Sequence, residues 1–225
     1  AQIGYEYENP DSERFYNYAK LNIYKQNAKW KDASDVEYPA GFSWRTNSFT
    51  PAKSVINDYS FEDESDGANV QLRSSSSSGG WNHELTYGLD FSSTFNTRPR
   101  EKTTTQSGVT TIENIKDTAD ADTTKYGVYF QDAITFDQNE RLELIGGLRF
   151  DKYNINAKND SSYITTHDGT GIINEPVNLD ENTINPSLAL IYKLSPELSS
   201  YGKFSTAFRS PTYSELNTAH GNRVL

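Results

Sequence analysis

Hydrophobic and polar residues alternate along eight separate stretches of this 225-residue chain. In residues 81–94, apolar side chains occupy every second position, at Leu85, Tyr87, Leu89 and Phe91. A period of two indicates β-strands whose two faces meet different surroundings. The eight predicted strands cover residues 2–8, about 15–27, 68–75, 81–94, 126–136, 141–154, 185–194 and 198–211.

The connections between these predicted strands fall into two length classes. Short turns follow the first, third, fifth and seventh strands, whereas polar stretches at 28–67, 95–124 and 155–183 are long. No stretch has the pattern of a helix. In an antiparallel meander all short turns lie at one edge, as in outer-membrane barrels with short periplasmic turns and long extracellular loops. The prediction is an all-β antiparallel meander of about eight strands, with a soluble sandwich or propeller as the alternative.

Composition narrows the class of protein without changing this prediction. Aromatic residues make up 13% of the chain, which argues against disorder. No apolar run approaches the roughly 20 residues of a membrane helix, and barrel strands do not need one. Aromatic residues near strand ends, such as Phe136 and Tyr153, suit the girdles at membrane interfaces. The net charge of −10 argues against a nucleic-acid partner.

Both ends of the sequence look cut, and no secretory leader is present at residue 1. We therefore expect a piece of a longer protein. The absence of cysteine excludes disulfides, thiolate catalysis and thiolate metal sites in this chain.

Four short strings in the last hundred residues resemble TonB-dependent outer-membrane receptors, which import iron complexes, heme and cobalamin. These strings are YGVYFQD at 126–132, LIGGLRFDKY at 144–153, NPSLALIYKL at 185–194 and YGKFSTAFRSPTYSEL at 201–216. The resemblance implies a 22-stranded transmembrane barrel in a Gram-negative outer membrane, in contact with lipid. It also implies an N-terminal plug that engages the TonB complex. On this basis residues 1–225 form part of the barrel, without the plug or the C-terminal strands.

The string Phe208-Arg209-Ser210-Pro211 resembles the Phe-Arg-Ala-Pro box of heme receptors in this family, with Ser210 in place of alanine. In those receptors a histidine in the next extracellular loop binds heme iron, and His220 follows here at a similar distance. The resemblance therefore implies import of heme, or of heme from a heme protein, with His220 as iron ligand. Similar boxes occur in siderophore receptors, so a ferric siderophore is the alternative ligand. The expected ligand-binding residues are His220, Arg209, Tyr213 and His167, with no intrinsic cofactor.

The remaining polar residues have simpler interpretations. His83, beside a short turn, is expected to be structural or solvated, and the acidic clusters at 62–67 and 117–122 to be solvated loop charge. The inward-facing Arg149 and Asp151 either line the lumen or pair across strands, as do Lys193 and Lys203. The sequence contains no Gly-x-Ser-x-Gly, phosphate-loop or paired-carboxylate motif, so we expect no enzyme. An active site at the rim that uses His167 or His220 is a less favoured interpretation, and so is a passive porin.

Overall fold

A computed structural model describes residues 1–10, 15–136, 141–159, 161–163 and 175–217 of the chain. The described part is almost entirely β-strand, with one short helix. Its elements are β1 (Gln2–Glu8), β2 (Tyr18–Tyr38), β3 (Gly41–Ser43), β4 (Ser48–Thr50), β5 (Lys53–Ser78), β6 (Trp81–Thr97), β7 (Arg100–Gln106), β8 (Val109–Ile115), β9 (Asp120–Thr135), β10 (Leu142–Lys158), β11 (Leu179–Ser195), β12 (Leu198–Ser205) and α1 (Tyr213–Asn217).

Eight of the strands form one antiparallel meander in the order β1-β2-β5-β6-β9-β10-β11-β12. The order of these eight strands in the sheet is therefore their order along the chain. The hairpin β7–β8 adds to the upper part of β5, and the hairpin β3–β4 stands apart as a two-stranded sheet. The all-β meander predicted from the sequence is therefore confirmed. All eight predicted strands are present, but the last one, predicted over 198–211, ends at Ser205.

The predicted loops are shorter than expected, because several of them are largely strand. The region 28–67, predicted as a polar loop, contains the upper halves of β2 and β5, which pair without a break from Tyr18–Arg73 to Tyr38–Lys53. Region 95–124 contains the hairpin β7–β8 and the start of β9. Where both faces of a strand meet water, the apolar alternation disappears, so the pattern could not identify these strands. The turn at 137–140 and most of 160–174 lie outside the described residues.

One face of the meander carries continuous apolar rows. Residues directly paired across antiparallel strands point to the same side of the sheet. Following the register across seven strands gives a single row, Tyr5, Leu21, Val70, Leu89, Val128, Phe150 and Ile184. Val128 and Ile184 are 50% and 62% exposed, so this row forms an outer surface and not a core. An exposed apolar band of this kind suits contact with lipid.

The opposite face carries polar rows. One residue further along each strand, the register joins Gly4, Asn22, Asn69, Asp90, Gly127, Asp151 and Thr183. We call this the inner face. In the described residues, Ala121 and Ile155 lie buried on this face, towards its long-loop end, where they pack with α1. Tyr153, predicted for an interfacial girdle, was placed wrongly, because it faces inward. Phe136 packs edge-on against Trp81 beside a short turn, and its place in a girdle stays a prediction.

The short turns are staggered along the sheet. The last ladder pair before the first turn is Glu8–Tyr18, and the same row reaches Ser187–Ser205 on β11 and β12. The last ladder pair before the β11–β12 turn, Ser195–Leu198, lies eight residues further along β11. Those eight residues correspond to a stagger of ~26 Å along the strands, while the first and last hairpins lie six strand spacings of ~4.8 Å apart across the sheet. When all short turns lie in one plane, the ratio of these two lengths gives a strand tilt of about 40°. This tilt is typical of transmembrane barrels.

The expectation that nothing is helical was wrong for Tyr213–Asn217, which form α1. At five residues it falls far short of a membrane span, and no helix in the described part of the chain has the length and hydropathy for one.

The outer rows generate a stability prediction. Replacing Val128 by Arg places a charge in the apolar band and should lower the free energy of unfolding by about 2–4 kcal/mol if the site lies near the bilayer midplane. Gln131→Arg is the matched control, because Gln131 lies on the inner face of the same strand and is exposed. Denaturant unfolding of the complete protein in lipid vesicles measures both variants. Equal destabilisation by the two variants would contradict the assignment of the faces.

Candidate functional site

After β12 the chain crosses the inner face of the sheet and covers part of it. Residues 206–217 leave the sheet where Thr206 donates its N–H to the carbonyl of Pro186 at 3.1 Å. They end in α1, whose Tyr213 and Leu216 are buried against Ala121 and Ile155. We call residues 206–217 the crossing segment. It contains the string Phe208-Arg209-Ser210-Pro211, which resembles the heme-receptor box.

Local sequence explains why the crossing segment ends in a helix. Thr212 and Glu215 form a capping box: the N–H of Glu215 donates to Thr212 Oγ1 at 3.3 Å, and the N–H of Thr212 donates to Glu215 Oε2 at 2.7 Å. Pro211, just before the cap, cannot extend a strand ladder because it has no N–H. The Thr-x-x-Glu spacing was present in the sequence and would have predicted this helix.

Arg209 completes the cap by donating from Nη2 to Glu215 Oε1 at 2.5 Å. The backbone N–H of Thr212 first, and then the Arg209 guanidinium, lower the pKa of Glu215 to about 2. The Arg209 side chain remains 74% exposed. Arg209 therefore has a structural partner, while most of its surface is still open to a ligand.

Asn217 anchors the far end of the crossing segment. Its side chain is fully buried, accepts the N–H of Val177 at 2.5 Å and donates to the carbonyl of Val177 at 3.0 Å. Its own carbonyl accepts the N–H of Ala119 at 3.3 Å. These bonds reproduce the pairing of a strand and tie α1 to the chain entering β9 and β11.

Beneath the crossing segment the inner face forms a recess of about 420 Å³. Strands β6, β9, β10 and β11 contribute its floor, and the crossing segment contributes Phe208, Ser210 and Thr212. Aromatic and charged side chains line it together. Its charged residues include Asp90, Lys125, Arg149, Asp151 and Glu181.

Arg149 organises this recess. Its Nη1 donates to Asp90 Oδ2 at 2.7 Å, and its Nε donates to Asp151 Oδ1 at 2.8 Å. Arg149 on β10 thus reaches across β9 to a carboxylate on β6. The row that joins Asp90 to Asp151 passes through Gly127 on β9, where any Cβ would overlap the Arg149 guanidinium. The bare backbone of Gly127 is what gives the guanidinium room to bridge two carboxylates.

The predicted ligand residues are only partly brought together. Arg209 and Tyr213 share the crossing segment, but Tyr213 is 7% exposed and packs into the inner-face cluster. Burial raises the pKa of Tyr213 to about 12, so its phenol stays neutral. His167 and His220 lie outside the described residues, so the iron ligand stays a prediction. Arg149 and Asp151, expected either to line the lumen or to pair, do both.

The other polar residues noted in the sequence also have partners. His83 Nδ1 lies 2.9 Å from Asp132 Oδ2 on the outer face beside a short turn. The acidic residues 62–66 are in β5 and not in a loop, where Glu62 pairs with Lys29. In the cluster at 117–122, Asp120 pairs with Lys116. In the described residues no group of three or more His, Asp or Glu side chains is placed to hold a metal ion.

Comparison with known families agrees with this geometry. The family model described as "TonB dependent receptor-like, beta-barrel" matches residues 1–224, nearly the whole chain. No curated protein matches the sequence.

The recess generates a prediction about Gly127. Gly127→Val should displace the Arg149 guanidinium and leave Asp90 and Asp151 without their shared partner, at a cost of about 0.5–1 kcal/mol in the free energy of unfolding, because these side chains are partly exposed to solvent. Gly202→Val in β12 is the matched control, because a Cβ at Gly202 meets open space. Denaturant unfolding compares the two variants. Equal stability of both variants would show that the Arg149 bridge does not depend on Gly127.

The cap of α1 generates a prediction about pH. The pKa of Glu215 in the folded protein, about 2, lies below its ordinary value of 4.5. The stabilising contribution of Glu215 is therefore complete above about pH 4.5 and declines as the pH falls towards 2. Hydrogen-exchange protection of residues 212–217, corrected for intrinsic exchange, should fall through this window. Glu215→Gln should remove that pH dependence, whereas Glu37→Gln on the exposed end of β2 should preserve it.

Proposed function

Because this chain belongs to the β-barrel family of the TonB-dependent receptors, we propose that it forms part of the barrel wall of a receptor that imports an iron-containing ligand. Members of this family are transporters of the Gram-negative outer membrane and not enzymes. The proposal for the ligand is heme, or heme from a heme protein. A ferric siderophore is the second candidate.

The transport proposal rests on one observation: the two faces of the same sheet differ in chemistry. An apolar row crosses seven strands on the outer face, and a polar row one residue away crosses the same strands on the inner face. A soluble sandwich would bury its apolar face against a second sheet. In this sheet the apolar face is exposed and the polar face holds the recess, as in a barrel with a polar lumen.

The meander must be completed by further strands to form such a barrel. Among the described residues, β1 and β12 each have one unpaired edge. Open edges invite uncontrolled pairing, and closed barrels have none. We therefore propose that residues 1–225 supply a sector of the barrel, and that the plug and the remaining strands come from the rest of the receptor. Energy for import then arrives through contact of that plug with the TonB complex.

The crossing segment supports a role in ligand passage. It lies over the lumenal recess, and its helix is fixed by a few polar contacts at Glu215 and Asn217. It carries an exposed guanidinium at Arg209 and continues towards His220. Support for heme in particular comes from the Phe208–Pro211 box and the spacing to His220, both features of the sequence. A neutral imidazole is a common axial ligand of heme iron.

Hemin titration of the complete receptor in detergent tests the choice of ligand. We expect a saturable change in the Soret band. The affinity for hemin should fall at least about tenfold in His220→Ala, because an axial ligand is lost, and should stay unchanged in His167→Ala. A saturable band unaffected by either variant would keep heme as ligand but remove the role of His220. Absence of a saturable band would exclude heme and favour ferric siderophores.

Transport itself is tested separately. Cells carrying the receptor should accumulate the bound iron complex only while the proton-motive force is intact, and an uncoupler should abolish uptake without reducing binding. Uptake that persists with the uncoupler would indicate a passive pore.

A further inference from the structure

A second recess, separate from the lumenal one, lies where β2, β5 and β7 extend beyond the long-loop edge of the meander. It has a volume of about 550 Å³. Trp30 on β2 and Phe61 on β5 are direct cross-strand partners, and Tyr59 on β5 is paired with Arg100 on β7. These side chains lie on the inner face, above the crossing segment. The long loops place this recess on the side from which a ligand would arrive.

Arg98 lies against two aromatic rings in this recess. Its guanidinium carbon lies 4.7 Å from the ring centre of Phe61 and 5.4 Å from that of Tyr213. Stacking on rings uses the faces of a guanidinium, whereas its N–H donors point outward in the plane. Within the described part of the chain Arg98 forms no ion pair. Arg98 is also exposed, so N–H donors of its guanidinium remain available to an anion.

Arg100 lines the same recess and, unlike Arg98, is paired with a carboxylate. Its Nη1 donates to Asp117 Oδ2 at 3.0 Å, and its guanidinium lies 5.7 Å from the ring of Tyr59. Asp117 is thereby committed to Arg100. The other acidic residue that lines the recess is Asp32, which accepts the N–H of Ala33 at 2.9 Å. The side chain of Asp32 disfavours an anion at this end of the recess.

The walls of the recess are flat and apolar. Trp30 is 59% exposed although it lies in a regular strand, and Pro99 lines the recess beside it. An exposed indole gains favourable free energy when a flat apolar surface covers it, because apolar area leaves water. The recess thus offers an aromatic wall together with an oriented guanidinium edge.

We propose that this recess binds a ligand that joins an oxyanion to a flat apolar body, with Arg98 on the oxyanion and Trp30 on the body. This inference rests on the proposed import function and selects, among iron complexes, the anionic ones over the neutral ones. This second recess is a capture site, distinct from the lumenal recess below it. Tyr213 of the crossing segment forms one side of the clamp that orients Arg98.

Equilibrium binding of four probes to the complete receptor in detergent tests this proposal. Hemin carries two carboxylates, and its dimethyl ester keeps the flat body without those charges. A ferric tris-catecholate is anionic, and a ferric trihydroxamate is neutral. We expect hemin or the tris-catecholate to bind, and the corresponding neutral probe to bind at least about tenfold more weakly, because it lacks the charge that Arg98 would hydrogen-bond.

Variants locate the effect at Arg98. Arg98→Gln should weaken the anionic probe about tenfold or more and leave the neutral probe unchanged, whereas Asp32→Asn should strengthen the anionic probe. Arg45→Gln, which removes an exposed charge at the β3–β4 hairpin, is the matched control and should change neither. Arg98→Lys keeps the charge but loses the planar donor edge, and it should fall between wild type and Arg98→Gln. Heat-dependent mobility in detergent gels confirms that each variant is folded.

The outcomes separate this inference from the proposed function. Unchanged affinity of the anionic probe in Arg98→Gln overturns the inference, as does equal binding of neutral and anionic probes by the wild type. Energy-dependent uptake of the neutral trihydroxamate alone overturns it while the import function stands. Absence of energy-dependent uptake for every probe counts against the import function itself and also removes the basis of the inference.

Discussion

The unbroken register of the β-ladder is the constraint on which the rest of the structure depends. Because side chains alternate with a period of two, each row of paired residues belongs to one face. A slip of one residue at any strand would send Val128 or Phe150 to the inner face and Asp151 to the outer face. The ladder from Gly4 to Thr183 contains no such slip. Two chemically opposite surfaces can therefore run side by side across seven strands.

The lumenal recess shows how register alone creates a polar site. Asp90 and Asp151 are separated by a whole strand, and they come within reach of one guanidinium because the residue between them is Gly127. A larger residue there would keep the strands paired but would close the space that Arg149 occupies. Strand β9 thus places the apolar side chain of Val128 on the outer face. One position away, Gly127 leaves room for the Arg149 guanidinium on the inner face.

Sequence reasoning could predict the features that depend on neighbouring positions and not those that depend on register. Alternation identified all eight membrane-directed strands and their unlike faces, because lipid on one side enforces the pattern. It missed the upper halves of β2 and β5, since water on both sides removes the contrast. The bridge from Arg149 to Asp90 joins residues 59 positions apart, and no local pattern encodes it. The capping box at Thr212 and Glu215 is local, and its signal was readable.

Tyr213 of the crossing segment contacts both the inner-face cluster and Arg98 of the second recess. Tyr213 packs with Ile155 on the inner face, and its ring also lies 5.4 Å from the Arg98 guanidinium. Lifting α1 from the wall to open the lumenal recess would therefore remove one face of the clamp that orients Arg98. By linkage, an anion that needs the oriented Arg98 favours the docked helix, and a change that loosens the helix weakens the anion. Because the cap at Glu215 and the bonds of Asn217 stabilise α1, the proposed capture above and the proposed passage below would share one equilibrium.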